Sequence, residues 1–223
     1  FQLLQKFAYN ILSSIFIIIS GSFIDEPLFW YVLTKLIVCL TGMPGAGKST
    51  VAEGLKPKGY DIINMGNAVR EEATKKNLEP TRSNLGKLML KLREKNGLGA
   101  VAELIKPQIE SSTAHVILID GVRSNDEIQV LRKFGSVKLL AIHASADTRF
   151  NFLQERGRSD DPQTKDHFQE RDNRELSVGI SNSIALSDNT ISNTGLTKDE
   201  LIESAFNIIQ SWIEWKFQIL VAK

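Results

Sequence analysis

Disulfides, zinc and broad nucleic-acid surfaces are all poorly provided for in this chain. Its single cysteine, Cys39, has no partner for an internal bridge and lies inside an apolar run, so a buried thiol in a reducing compartment is expected. Three histidines, His115, His143 and His167, are scattered and form no Cys/His cluster of metal-ligand spacing. A formal net charge of +1 leaves no excess of cations for a basic stripe, which argues against a nucleic-acid partner. Internal repeats and low-complexity linkers are missing too. What remains is ordinary for a globular domain: 42% hydrophobic and 24% charged residues over 223 positions, enough for one domain with an appendage.

The appendage is residues 1–34. Phe7 to Ile24 carries no charge and just reaches the length of a membrane span, but Asn10, Ser13, Ser14, Ser20, Gly21 and Ser22 weaken it. Lys6 precedes the run while Asp25 and Glu26 follow it, and if Lys6 marks the inside, a single span would put the rest of the chain outside. Membrane contact through residues 7–24 is therefore not favoured, and a cytoplasmic protein with an apolar N-terminal extension is expected.

Gly42-Met43-Pro44-Gly45-Ala46-Gly47-Lys48-Ser49 is the strongest signal. A chance match at its four fixed positions is on the order of a one-in-a-hundred event for a chain of this length. Leu36–Leu40 before it reads as a buried strand, and Ser49 to Lys56 after it opens a helix. Such a glycine-rich turn wraps backbone N–H groups around one anion, and the helix N-terminus adds its partial positive charge. Lys48 then reaches the β- and γ-phosphates, and Ser49 is placed to ligate Mg²⁺. Gly42 to Ser49, with Thr50, make up the expected ATP site.

Downstream, strand-like and helix-like segments alternate, as in a parallel α/β sheet. Strands are expected at Tyr60–Asn64, His115–Asp120, Val137–His143 and Asn189–Ser192. Helices are expected after Gly66, over Asn84–Lys95, Ala100–Ile109 and Asp147–Glu155, and after capping boxes at Ser124/Glu127 and Thr197/Glu200. Arg156–Glu175 is dense in charge and nearly free of core-forming side chains, so it is expected to be a flap over the phosphates.

Asp120 ends an apolar strand, Val116-Ile117-Leu118-Ile119, at the edge that faces nucleotide in a P-loop sheet, so it joins Ser49 as a candidate Mg²⁺ residue. Phosphoryl transfer spreads negative charge over the moving group, and arginine forks suit phosphate. Arg70 and Arg123 follow strand ends, Arg156 and Arg158 flank Gly157, and Arg171 and Arg174 lie one helical turn apart. Catalytic roles are expected for Lys48, Asp120, Arg123, Arg156 and Arg158. Arg70, Arg171 and Arg174 join them as candidate phosphate-side cations.

Four segments carry a resemblance. The P-loop, Met65-Gly66-Asn67-Ala68-Val69-Arg70, Asp120-Gly121-Val122-Arg123-Ser124 and Arg156-Gly157-Arg158-Ser159-Asp160-Asp161 resemble, in this order, an archaeal family of uncharacterised P-loop proteins related to adenylate kinase and dephospho-CoA kinase. The similarity runs from about Lys35 to Trp212. It implies a three-layer P-loop fold like that of nucleoside monophosphate kinases, with a helical acceptor insertion near 65–110 and a lid near 156–175. It also implies acceptor-phosphate roles for Arg70 and Arg123 and lid roles for Arg156, Arg158, Arg171 and Arg174, so that Arg70, Arg123, Arg171 and Arg174 would serve a small anionic acceptor. Ser192-Asn193-Thr194-Gly195 resembles the segment that dephospho-CoA kinases pass beside adenine, which would put Asn193 and Gly195 at the nucleotide. Asn64-Met65-Gly66 and the short Asp-Gly-Val-Arg depart from adenylate kinase, and both fall on the acceptor side.

The expected function is transfer of the γ-phosphoryl of ATP, with Mg²⁺, to a nucleoside monophosphate or dephospho-CoA type of acceptor. An ATP-driven switch or assembly factor with slow hydrolysis is the alternative. A kinase of uncharged metabolites fits less well with two acceptor-side arginines. A GTPase fits less well still, since no Asn-Lys-x-Asp motif follows the P-loop. The residues favour no particular oligomeric state.

Overall fold

The computed structural model describes residues 34–158 and 161–221. The apolar stretch 7–24 lies outside them. Among the described residues, no helix is long and apolar enough to cross a membrane.

Among the described residues, five strands build one sheet: β1 (Lys35–Thr41), β2 (Asp61–Asn64), β3 (Val116–Asp120), β4 (Gly135–His143) and β5 (Asn189–Ser192). Their order is β2-β3-β1-β4-β5, and every adjacent pair is parallel. β1 is central, and its side chains alternate between two cores as the pleat requires. Ile37 and Cys39 face one layer of helices together with Ile117 and Ile119. Leu36, Val38 and Leu40 face the opposite layer with Leu118, Leu140 and Ile142. Burial pushes the Cys39 thiol well up from its ordinary pKa, which makes it inert.

The second layer is α1 (Lys48–Leu55) and the long α10 (Lys198–Val221), packed through Val51, Leu55, Leu201, Ala205 and Ile209. The first layer is α2 (Met65–Lys75), α3 (Arg82–Asn96), α4 (Ala100–Leu104), α5 (Lys106–Ser111) and α6 (Asn125–Leu131). One helix was expected over Ala100–Ile109, and there are two. Pro107 lacks an N–H and its ring opposes the carbonyl one turn back, so the first helix stops and a second starts with proline in its first turn.

The remaining helices are α7 (Ala146–Arg156), α8 (Lys165–Ser177) and α9 (Ile180–Ala185). The single flap expected over 156–175 is therefore divided. The helix α7 closes at Arg156, and α8 is a separate helix that docks on the body. Phe168 is buried edge-on to Phe150 at 5.5 Å between ring centres. Arg149 grips Asp172 with two hydrogen bonds of 2.9 and 2.7 Å. A helix so rich in charge packs because its buried charges are paired, Asp172 with Arg149 of α7 and Glu175 with Arg123, pairings that hydrophobic periodicity does not register.

Candidate active site

All five strands point their C-terminal ends at one cleft of about 620 Å³. The phosphate loop crosses from β1 to α1 at its floor. Its glycines are required by close approach as much as by dihedral angle. At Gly42 (φ +139°) a Cβ would sit 2.1 Å from the Ile142 carbonyl oxygen, and at Gly47 (φ +110°) it would sit 2.6 Å from the Asn193 amide nitrogen. Lys48 curls back to donate to the Gly42 and Met43 carbonyls at 2.6 and 3.1 Å. Burial lowers its pKa to about 8, with nearby Asp120 working against the shift.

Ser49, in the first turn of α1, and Asp120, at the end of β3, come together. Ser49 Oγ donates to Asp120 Oδ2 at 2.9 Å, and Asn64 Nδ2 donates to the same oxygen at 2.7 Å. Asp120 is only 3% exposed, at the end of β3. A hydroxyl and a carboxylate side by side are the hard oxygen donors that suit Mg²⁺, which usually takes one or two protein ligands and fills the rest with phosphate and water.

The other wall of the cleft is cationic. Arg70, on α2, donates to Asn67 Oδ1 at 3.2 Å. Arg123, after β3, is fixed at both ends: its backbone N–H donates to Glu127 Oε2 at 2.7 Å, and its Nε donates to Glu175 on α8. Glu127 also accepts from Arg93 of α3 at 2.8 Å while completing the capping box of α6, so one buried carboxylate joins three segments. Arg174 lies over Gly86 of α3, where a Cβ would come within 3.1 Å of Nη1. Its Nε is buried and without a hydrogen-bond partner among the described residues.

Asp161 organises the segment between α7 and α8. It pairs with Arg156 through two hydrogen bonds, accepts the Arg158 N–H at 3.0 Å, and accepts from Arg171 at 3.1 Å. Burial favours its neutral form, but these bonds outweigh burial and hold it below the usual carboxylate range. Arg158 reaches the cleft and also lines the adjoining one between α1 and β2.

Lys48, Asp120, Arg123, Arg156, Arg158, Arg70, Arg171 and Arg174 thus all line the one cleft. Asn193 lines it as well, but its amide is already used: it donates to the Ala46 carbonyl at 2.9 Å and so braces the phosphate loop from β5. Gly195 (φ +85°) makes the turn into α10 and is not part of the lining. Asn64, Glu127, Arg149, Asp161, Asp172 and Glu175 were not among the residues expected here. Glu127 was visible only as a helix cap and Asp161 only as part of a motif. The pairing of Arg149 with Asp172 has no local signature.

Fold and site together define a nucleotide-binding P-loop protein of the kinase-like class. Residues 41–169 match the AAA domain family. The chain is 44% identical over 154 residues to a UPF0200 protein of Hyperthermus butylicus, a span covering 69% of this chain and 83% of that one. With the UPF0200 proteins of Thermococcus gammatolerans and Methanocaldococcus jannaschii the identities are 39% over 183 residues and 36% over 190. Those spans cover 80% and 82% of this chain and 96% of each relative. The chain belongs to the UPF0200 family. In three dimensions it is similar to TT1252 from Thermus thermophilus (TM-score 0.58, 18% identity, 80% of this chain and 97% of that one). It is similar also to shikimate kinase from Bacteroides thetaiotaomicron (TM-score 0.56, 16% identity, 80% and 98%). At such identities the likeness is one of fold.

Proposed function

We propose that this protein is an ATP-dependent phosphotransferase that passes the γ-phosphoryl group to a small anionic acceptor of nucleoside monophosphate or dephospho-CoA type. The observation that carries the reading is the lining of one cleft. The phosphate loop, Lys48 beside the Ser49–Asp120 pair, and four arginines, Arg70, Arg123, Arg171 and Arg174, line the same cleft. Mg²⁺, when bound, neutralises charge on the nucleotide phosphates, and Ser49 and Asp120 are the residues that would hold it. The loop N–H groups orient the triphosphate, and Lys48 compensates charge at the transferring group. Arg156 and Arg158 enter from the α7–α8 connection, so they meet the phosphates once that segment has closed over them. The catalytic unit is residues 35–223, working on cytoplasmic ATP without a nucleic-acid partner.

The test is ATP consumption by the full chain, screened against nucleoside monophosphates and dephospho-CoA with Mg²⁺. Stimulation by one acceptor class, at least tenfold over the basal rate, is the expected result. Slow hydrolysis indifferent to every acceptor would instead make the protein an ATP-driven switch.

A further inference from the structure

The acceptor half of the cleft is rich in cations and has no base to spare. Its carboxylates are Asp120 and Glu175, and both are committed. Asp120 accepts from Ser49 and Asn64 through one oxygen, which ties it to the metal side of the site. Glu175 is 3% exposed and locked to Arg123 Nε. Burial alone would raise its pKa, but Arg123, then Arg171 and Arg174, hold it ionised below the usual carboxylate range, where it is a poor proton acceptor. Histidine does not line this cleft among the described residues. Glu53 and Glu155 stand exposed on α1 and α7, and Glu53 opens also to the neighbouring cleft.

A hydroxyl acceptor must lose its proton as it attacks phosphorus, and kinases of that kind set a carboxylate to receive it. A phosphate monoester brings an oxygen that is already anionic. It needs no base, only cations to hold its remaining charge, which is what Arg70, Arg123 and Arg174 provide. Val69, Leu85, Met89 and Ile180 form an apolar wall on the same half, suited to a flat, weakly polar body attached to that phosphate.

The geometry points to a phosphate oxygen, not a hydroxyl, as the acceptor atom, so that the product is a phosphoanhydride. This inference rests on the phosphotransferase reading and chooses between the two acceptor types it leaves open. In the step, the acceptor oxygen bonds to the γ-phosphorus as the bond from that phosphorus to the β-bridging oxygen breaks. The electron pair departs on ADP, and no proton is transferred to the protein.

The full chain with Mg²⁺ and ATP is offered AMP, CMP, GMP and UMP, and in parallel adenosine, cytidine and dephospho-CoA. Products are read by phosphorus NMR, in which an anhydride shows phosphorus–phosphorus coupling and a new monoester does not. At least one monophosphate is expected to give the coupled product, with hydroxyl acceptors slower by a factor on the order of 10⁴. A monoester product from a hydroxyl acceptor at a rate equal to or above that of the monophosphates overturns the inference and leaves a kinase standing. A second measurement needs no turnover. In the presence of ADP and Mg²⁺, a monophosphate should raise the melting temperature further, and Arg174→Ala should lose that second shift while keeping the shift from ADP. An ADP shift with no monophosphate shift and no coupled product also overturns the inference. The absence of any ADP or ATP shift removes the nucleotide-site reading beneath it.

Discussion

The two halves of the cleft are built from different materials. The phosphate end is mostly backbone, supplied by one continuous stretch from Gly42 to Ser49, with glycines where Ile142 and Asn193 press close. The acceptor end is mostly side chain, and its arginines come from three separate stretches: Arg70 on α2, Arg123 after β3, and Arg171 with Arg174 on α8. Arg123 and Arg171 are held by the carboxylates of Glu175 and Asp161, and Arg70 by the Asn67 amide on its own helix. Backbone cradles one group that every nucleotide shares, whereas a set of braced side chains can be retuned one residue at a time. The common half of a reaction is thus assigned to the rigid element, and the variable half to the adjustable one.

That difference suggests where each half should break. The largest effect is expected from Glu127→Ala, which touches no ligand. Removing it strands the buried Arg93 charge and undoes the cap of α6, at a cost of roughly 3–5 kcal/mol in urea unfolding, whereas ATP-induced stabilisation of whatever remains folded should persist. If stability changes by less than about 1 kcal/mol, the acceptor half does not depend on its braces. Next comes Arg158→Ala. Arginines that meet the group in flight contribute factors on the order of 10³, so kcat and kcat/KM should fall together with KM unchanged. Full turnover in this variant would remove the α7–α8 connection from the chemistry.

Lys48→Ala should leave the fold intact and abolish stabilisation by ATP. That stabilisation is roughly 2.7 kcal/mol at a hundredfold excess over Kd, and calorimetry with and without ATP checks the prediction. An unchanged shift would mean that the backbone alone holds the triphosphate. The smallest effect is in pH. Lys48 has a pKa lowered to about 8, so it is charged below that value and loses its proton above it. Because triphosphate binds the charged form, ATP affinity should weaken roughly tenfold between pH 7 and pH 9. Without ligand the sign is opposite: the unfolded chain keeps this proton to higher pH, so the apo protein gains stability as pH rises above 8. A flat binding profile, measured by titration calorimetry, would separate Lys48 from the phosphates.

The same contrast decides what could be read from residues alone. The phosphate loop is local and its geometry demands particular residue types in particular order, so it is legible at once. The strands were visible as apolar runs, and Asp120 was recognisable because it ends one of them. The arginines could be gathered but not arranged, since their partners lie elsewhere in the sequence: Glu175 is 52 residues from Arg123. In the sequence α8 reads as part of a flap for the same reason. Its inward face consists of Phe168, Asp172 and Glu175, and two of those three read as surface until their partners are known. Asn193 stands out in the sequence through its chain neighbours, whereas the carbonyl it donates to, that of Ala46, lies 147 residues away.

Glu127 carries a consequence for the lineage as well as for the molecule. Its two oxygens serve different masters, one the Arg93 guanidinium and the other the N–H groups of Arg123 and Ser124. Glutamine would still cap the helix but would leave Arg93 charged and uncompensated, whereas an apolar residue at position 93 would leave Glu127 with its cap and a bare charge. Neither position can drift alone without crossing an unstable intermediate. Across relatives, positions 93 and 127 should therefore be inherited as a couple, replaced together or not at all.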